Sequence, residues 1–274
     1  MRSISKYLLL AAALVALPAT ADDFGLWPEF AVEKKLGDFS LQAGTGFRFN
    51  DGVGQFSRFD IGLGADYKVC NYLKVGLGYQ YIDDHKAQSA KAHYNKKDVL
   101  NGYNVDENYW RSKHRVYVQA TGKVDVGRFT FSLRERYQLT RYAKKDITEE
   151  KYRGVVSDPD NYDGKTYRGA DGTYYGLDDT ETETKKAKTK HYLRSRLSVE
   201  YNIRHCPVDP YASFEISNNL GNGFSLDKRR WTVGADWKIS KQHKLSLSYV
   251  YTNGNDDDDD GNLHAIAIGY KFSF

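Results

Sequence analysis

The sequence has no long apolar run. After the first 17 residues nothing approaches the roughly 20 consecutive apolar residues that a spanning helix needs, and mean hydropathy is −0.68. Any membrane crossing must therefore be made by strands. A dominant charge sign is missing as well. Lys and Arg number 40 against 36 Asp and Glu, and taking away residues 1–21 removes only Arg2 and Lys6 from that balance. A near-neutral chain gives no support to a nucleic-acid partner. Cysteine is limited to Cys70 and Cys206, each in a short turn between strand candidates. An oxidising compartment would permit a disulfide. Two strands between those turns, at about 4.8 Å per step, exceed the ~7 Å Cα separation that a disulfide spans, so free thiols are expected. Catalytic and metal motifs are absent: no GxSxG or HExxH pattern accompanies His114, His191, His205, His243 or His264. Serine–histidine pairings such as Ser112 or Ser195 with His114 or His191 have no distinguishing spacing.

What is present begins with an export signal. Arg2 and Lys6 precede an apolar run from Tyr7 to Leu17, and Ala19-Thr20-Ala21 is a small-residue cleavage site. Residues 1–21 read as a secretory signal peptide, and the mature chain, 22–274, as a single barrel domain. No Cys follows the cleavage site, which argues against a lipoprotein anchor.

The mature chain repeats one pattern, clearest from Phe56 to Asp83. Phe59, Ile61, Leu63, Ala65, Tyr67 and Val69 alternate with Arg58, Asp60, Gly62, Gly64, Asp66 and Lys68. Leu73, Val75, Leu77, Tyr79 and Tyr81 alternate with Lys74, Gly76, Gly78 and Gln80. Successive strand residues face opposite ways, so each strand has one apolar and one polar wall. Eleven such segments are legible: 27–36, 39–50, 56–69, 73–83, 110–123, 128–142, 191–203, 211–217, 230–239, 244–252 and 263–274. Short turns follow residues 36, 69, 123, 203 and 239, and longer loops follow 50, 83, 142, 217 and 253. A sandwich has no reason to sort its loop lengths this way, whereas an outer-membrane barrel has short periplasmic turns and long outer loops. Aromatic residues make up 14% of the chain, 22 of them Tyr, which suits interfacial girdles around such a barrel. Tyr270, Phe272 and Phe274 close the chain in alternation, like the terminal signature by which bacterial barrels are recognised for insertion.

These features predict an all-β fold: an antiparallel transmembrane β-barrel with short periplasmic turns and long extracellular loops, in the bacterial outer membrane. A secreted sandwich or closed soluble barrel is the alternative. Because bacterial single-chain barrels favour even strand numbers, eleven segments point to about twelve strands, with ten as the other count. Either a strand is missed or invented, or residues 22–28 thread the lumen. Glu135 falls on the apolar wall of its strand, at the membrane boundary or on a bulge.

Alternation places Arg48, Arg58, Arg115, Arg134, Arg136, Arg194, Arg196 and Arg230 on the inward face as lumen-lining basic residues, along with Lys68 and Lys74. Glu29, Glu33, Asp60, Asp66, Glu200, Glu215 and Asp236 share that face. Arginine binds carboxylates and phosphates bidentately, so the set reads as a track for small anionic solutes or as a salt-bridged filling of a narrow barrel. The run Asp256 to Asp260 reads as a solvated loop tip, with a hard-cation site as the alternative. No catalytic residue, metal ligand or cofactor is assigned. The expected partners are outer-membrane lipid, the barrel-assembly machinery through the C-terminal strand, and small anionic solutes.

The segment DDFGLWPEFAVEKKL, the strands carrying Arg48 and Arg58, and the hairpin ending GLGYQY resemble a family of uncharacterised bacterial outer-membrane barrels, known only as a domain of unknown function. The likeness spans most of the mature chain and carries no residue-level site. More distantly the chain is similar to small monomeric porins for acidic oligosaccharides, which implies twelve strands and an arginine-lined lumen. The segment 143–190 departs from a minimal porin. The functional expectation is a porin-like channel for small solutes, anionic ones included. The alternatives are a plugged barrel with a structural or surface-binding role, and an outer-membrane enzyme of lipase, deacylase or protease type.

Overall fold

A computed structural model describes residues 24–50, 52–256 and 261–274. The expected signal peptide and Asp257 to Asp260 lie outside the described residues. The chain divides into two compact units. One comprises the chain up to Asp83 with Lys113–Arg141 and Thr189–Phe274, and the other comprises Asp84–Ser112 and Tyr142–Lys188.

The first unit is a closed barrel of eleven strands. In chain order the elements are β1 (Phe24–Leu36), β2 (Phe39–Asn50), β3 (Gln55–Lys68), β4 (Leu73–Lys86), β5 (Ser89–Tyr94), β6 (Leu100–Asp106), β7 (Tyr109–Val126), β8 (Phe129–Tyr142), β9 (Lys145–Val155), β10 (Thr166–Arg168), β11 (Tyr174–Lys185), β12 (Lys188–Tyr201), β13 (Val208–Asn219), β14 (Ser225–Lys238), β15 (His243–Gly254) and β16 (Leu263–Ser273). Around the barrel they run β1-β16-β15-β14-β13-β12-β8-β7-β4-β3-β2. The eleven legible segments are these eleven strands.

The twelve-strand expectation rested on even parity, and the closure shows how an odd number succeeds. β1 and β16 pair parallel, from Phe24 opposite His264 to Glu33 opposite Ser273. Two strands running the same way need one strand fewer between them than an antiparallel closure would. Residues 24–28 accordingly form part of the wall and do not thread the lumen. The β1–β2 register is the same on both sides of Pro28, with Leu26 opposite Phe49 and Glu29 opposite Gly46.

The pleat sorts the side chains as the alternation predicts. Phe30, Val32, Leu41, Ile61, Leu63, Leu77, Val116, Val118, Leu133, Leu197, Trp231 and Val233 point outward and are exposed. Contiguous apolar patches on soluble monomers seldom exceed a few hundred Å², and a band running round the whole barrel is the outer wall of a membrane-spanning barrel. Inward glycines seat side chains from neighbouring strands. A Cβ at Gly78 would lie 2.3 Å from the Tyr117 ring, and one at Gly76 would lie 2.0 Å from an Asp66 carboxylate oxygen. Those glycines make room for filling and do not widen a pore.

The second unit is a five-stranded antiparallel sheet in the order β10-β11-β9-β6-β5. The segments expected as long loops, 84–109 and 143–190, thus carry regular structure. Tyr103, Val105, Tyr152 and Tyr175 form its buried core, with Leu100, Tyr167 and Leu177 packed against them. Tyr103 packs its ring against Tyr167 and Tyr175 at centroid distances of 5.2 and 5.5 Å. The Tyr152 hydroxyl donates to Glu150 at 2.5 Å, and the Tyr175 hydroxyl donates to Asp171 at 3.0 Å. A tyrosine core buries apolar area while each hydroxyl reaches a polar partner.

Candidate functional site

The barrel interior is polar, and its charges converge on Glu215. Strand register alone brings three of them together. Arg196 on β12 lies opposite Glu215 on β13, which lies opposite Arg230 on β14. β8 borders β12 and supplies Arg134. The Glu215 carboxylate accepts from Arg134 at 2.7 Å and from Arg196 at 2.8 Å. It pairs with Arg194 at 2.9 Å and with Arg230 at 3.8 Å. Its side chain is 2% exposed.

The network extends toward the long connections. Arg194 reaches Asp256 at 3.7 Å, and Lys228 donates to the same carboxylate at 3.0 Å. Asp256 is buried, which corrects its reading as part of a solvated loop tip. Five cations therefore share two carboxylates. Burying so many charges is tolerable only because each cation lies within ion-pairing distance of a carboxylate.

The other predicted arginines surround this hub. Arg48 and Arg230 both stack on Trp27, at 4.2 and 5.6 Å from its ring. Arg136 donates twice to Gln119, at 3.0 and 2.7 Å, and lies 4.2 Å from the Tyr117 ring. Arg115 is buried and donates to Thr140 at 3.2 Å and to Gln80 at 3.4 Å. Arg58 is buried on β3, opposite Arg48 in the β2–β3 ladder. All eight face inward, but only Arg134, Arg194, Arg196 and Arg230 form one cluster.

Side-chain burial differs between the two ends of the lumen. Toward the long connections Gln138, Thr140 and Thr252 are fully buried, and Arg194, Ser217 and Lys228 are nearly so. Toward the short turns the interior opens into two chambers. One, of about 400 Å³, is lined by Glu29, Arg196, Glu200, Tyr211, Asp236 and Lys244 among others, and the second, of about 340 Å³, by Glu29, Gln42, Asp60, Gln80, Tyr117 and Arg136 among others. The charges around this end are paired in short local sets. Lys74, Gln42 and Gln119 donate to Asp66, Lys244 and Ser246 donate to Asp236, and Lys271 pairs with Glu33 at 2.9 Å.

Trp27 was not legible as a lumen residue, because the adjacent Pro28 suggested a broken strand end. With Val250, Leu263 and Ala265 it forms a small apolar cluster on the inner wall. The signal was the parity of β1, which puts Trp27 on the same face as Glu29 and Glu33.

Three of the candidate serine and histidine groups have partners other than one another. His114 Nδ1 is hydrogen-bonded to the Tyr79 hydroxyl and His191 Nδ1 to the Tyr137 hydroxyl, each at 2.7 Å. Ser195 donates to Glu135 at 2.6 Å. Glu135 thus lies on the outer wall midway along β8, two residues before Tyr137, with Ser195 as its partner. Cys70 and Cys206 are both free thiols.

In the sheet unit Asp106, Glu149 and Glu183 bring carboxylate oxygens within 4.8 Å of one another. Lys185 supplies the cation, donating to Asp106 at 2.7 Å and to Glu183 at 2.5 Å. Burial, then the charges of Glu183 and Asp106, pushes the Glu149 carboxyl up. Burial opposes ionisation of Asp106 too, but hydrogen bonds with Lys185 and Glu183 and the charges of Lys185 and Lys91 together outweigh it and hold that carboxyl down. Lys185 thus ion-pairs with two of the three carboxylates, and Asn104 donates to the third, Glu149, at 3.0 Å.

Residues 24–262 match the family described as "Protein of unknown function (DUF2490)". No curated protein matches the sequence. Among solved structures the chain is similar to the beta domain of the Bordetella autotransporter BrkA, at 15% identity and a TM-score of 0.46, covering 87% of this chain and 82% of that one. It is also similar to the translocator domain of the autotransporter NalP from Neisseria meningitidis, at 11% identity and 0.46, covering 93% and 92%. The CymD monoaromatic hydrocarbon channel matches at 10% identity and 0.30, covering 89% and 88%. With its family match covering nearly all of the barrel and the sheet, this chain belongs to the DUF2490 family of proteins of unknown function.

Proposed function

We propose that this chain is a bacterial outer-membrane β-barrel whose lumen is latched shut by its own charges, and that it serves a structural and surface-binding role. The observation that carries this reading is the Glu215 hub. Four arginines from β8, β12 and β14 meet one carboxylate on β13, and the neighbouring polar side chains toward the long connections are almost completely buried. A small barrel filled by its own side chains is a wall and an anchor. The sheet unit, inserted between β4 and β7 and between β8 and β12, gives the chain a folded element that a minimal channel does not need. No catalytic residue is assigned.

A second reading has its own observation. The hub has more cations than carboxylates, so an opened latch would present a positive constriction to small anions, with the two chambers as its vestibule. Planar-bilayer recording of the refolded mature protein separates the two. A latched barrel gives no steady current. Discrete openings by the unmodified protein would overturn the latch and support a channel for small solutes.

A further inference from the structure

The lumen chamber of about 340 Å³ is lined by charges of both signs that the folded barrel leaves unmatched. Register sets two of them in one row. Glu29 on β1 lies opposite Gly46 on β2, which lies opposite Asp60 on β3. Gly46 has no side chain, and the Asp60 carboxyl leans into the space this leaves: a Cβ at Gly46 would lie 2.8 Å from Asp60 Oδ2. Two carboxyl groups therefore flank one glycine. Among the described residues neither has an ion-pair partner, and Arg48, Arg230 and Arg196 act on Glu29 only at longer range. By contrast Asp66, Asp236 and Glu33, in the same barrel, each have a lysine.

The other side of the chamber has the complementary deficit. Arg136 on β8 donates from Nε and Nη2 to Gln119, a neutral amide, and lies 4.2 Å from the Tyr117 ring. Among the described residues it has no ion pair with a carboxylate, and its Nη1 group is left over. Tyr117 lies across the glycines of β3 and β4. A Cβ at Gly64 would be 3.3 Å from its hydroxyl, and one at Gly78 would be 2.3 Å from its ring. The Arg136–Tyr117 stack thus borders a floor of glycines, where a ligand can approach the backbone closely. Unpaired charges inside a barrel are costly, and one molecule carrying both signs would satisfy both sides.

We infer that this chamber binds a small zwitterion, a dipeptide with free termini, with its ammonium at Glu29 and Asp60 and its carboxylate at Arg136. Arginine suits a carboxylate. Taken as a sphere, a space of about 340 Å³ is about 9 Å across, and two residues of extended chain span about 7 Å. Occupancy of the chamber does not depend on whether the Glu215 hub blocks current, so binding and conductance are separate readouts.

The test titrates dialanine into the full mature chain folded in micelles, by isothermal calorimetry, beside two blocked forms. N-acetyl-dialanine lacks the ammonium, and dialanine amide lacks the carboxylate. Dialanine should bind saturably and each blocked form about tenfold more weakly, the scale of one hydrogen bond to a charged group. Arg136→Gln should weaken dialanine about tenfold and leave the amide unchanged. Asp60→Asn should weaken dialanine and leave the acetyl form unchanged. A barrel that merely misfolds would not give this crossed pattern. Should either variant fail to fold, the three peptides on the unmodified protein still decide. No saturable binding of dialanine, or equal affinity for all three, would overturn the site. Binding of the amide as tight as that of dialanine would mean a site for a cation alone and would overturn it too.

Discussion

The two units of this chain are built inside out with respect to each other. The sheet unit hides tyrosine, valine and isoleucine and shows most of its lysine and aspartate, burying only a few paired carboxylates such as Asp106, Glu149 and Glu150. The barrel shows phenylalanine, leucine and valine and hides arginine, glutamate and lysine. Both are antiparallel strands with side chains alternating at a period of two; only the solvent differs. The contrast explains the low mean hydropathy, since neither unit needs a continuous apolar segment. It also locates what holds each unit together: side-chain packing in the sheet, and ion pairs at the centre of the barrel.

Removing the hub should have the largest effect. Glu215→Ala leaves four guanidinium groups facing one another without their carboxylate, at a cost of about 3–5 kcal/mol, the scale of breaking a buried pair. Urea unfolding of the barrel in micelles, with and without the substitution, measures it. In the sheet the counterpart is Tyr152→Ala, which deletes a buried ring and should cost about 3 kcal/mol. Its signature is local: limited proteolysis should cut within 84–112 or 142–188 while the barrel keeps its heat-modifiable gel mobility. Equal loss in both units would break the separation.

A charge placed on each exposed wall sharpens the contrast of solvents. Leu63 on β3 and Val155 on β9 are 63% and 66% exposed. Leu63→Arg should cost about 2–4 kcal/mol in lipid, whereas Val155→Arg should stay within about 0.5 kcal/mol. Similar costs, read by unfolding in lipid vesicles, would mean that the two walls face the same solvent. A methyl group at Gly78 collides with Tyr117, so Gly78→Ala should destabilise by about 1–3 kcal/mol. Gly122→Ala, where the nearest atom is 3.9 Å away, should be neutral by the same assay.

The smallest effect is one of pH, confined to the sheet. Hydrogen bonds from Lys165 and Tyr152 hold the Glu150 carboxyl below its ordinary value, against the effect of burial. The unfolded chain takes up that proton first, so the stability this group contributes is present above the ordinary carboxylate range, near pH 4.3, and is lost as pH falls through the lowered value. Glu149, pushed up, has the opposite sign and favours the folded sheet as pH falls. Glu150→Gln should therefore flatten the acid limb of the sheet's unfolding curve, and an unchanged limb would rule this assignment out.

What was legible in the sequence follows from how far each cause acts along the chain. The barrel strands announced themselves because Phe59, Ile61 and Leu63 against Asp60, Gly62 and Gly64 is a local pattern. Its parity placed all eight arginines inward. How eleven strands could close was hidden because the parallel seam joins Phe24 to His264 across the whole sequence and leaves no local mark. The hub was hidden for a related reason: Arg196, Glu215 and Arg230 share a row only once two registers are set. The sheet unit was missed because its core positions are mostly tyrosine, which reads as polar loop in a segment rich in Asp, Gly and Lys. The alternation of Tyr103 with Val105, and of Tyr175 with Leu177, was the available signal.

The latch itself is most directly tested by the bilayer current of the unmodified protein beside that of Glu215→Gln, which keeps the side-chain size and removes the charge that gathers the arginines. The account predicts a silent unmodified barrel and an anion-selective current from Glu215→Gln, with a reversal potential displaced toward that of the anion in a salt gradient. A conducting unmodified barrel, or a Glu215→Gln barrel as silent as its parent, would contradict it.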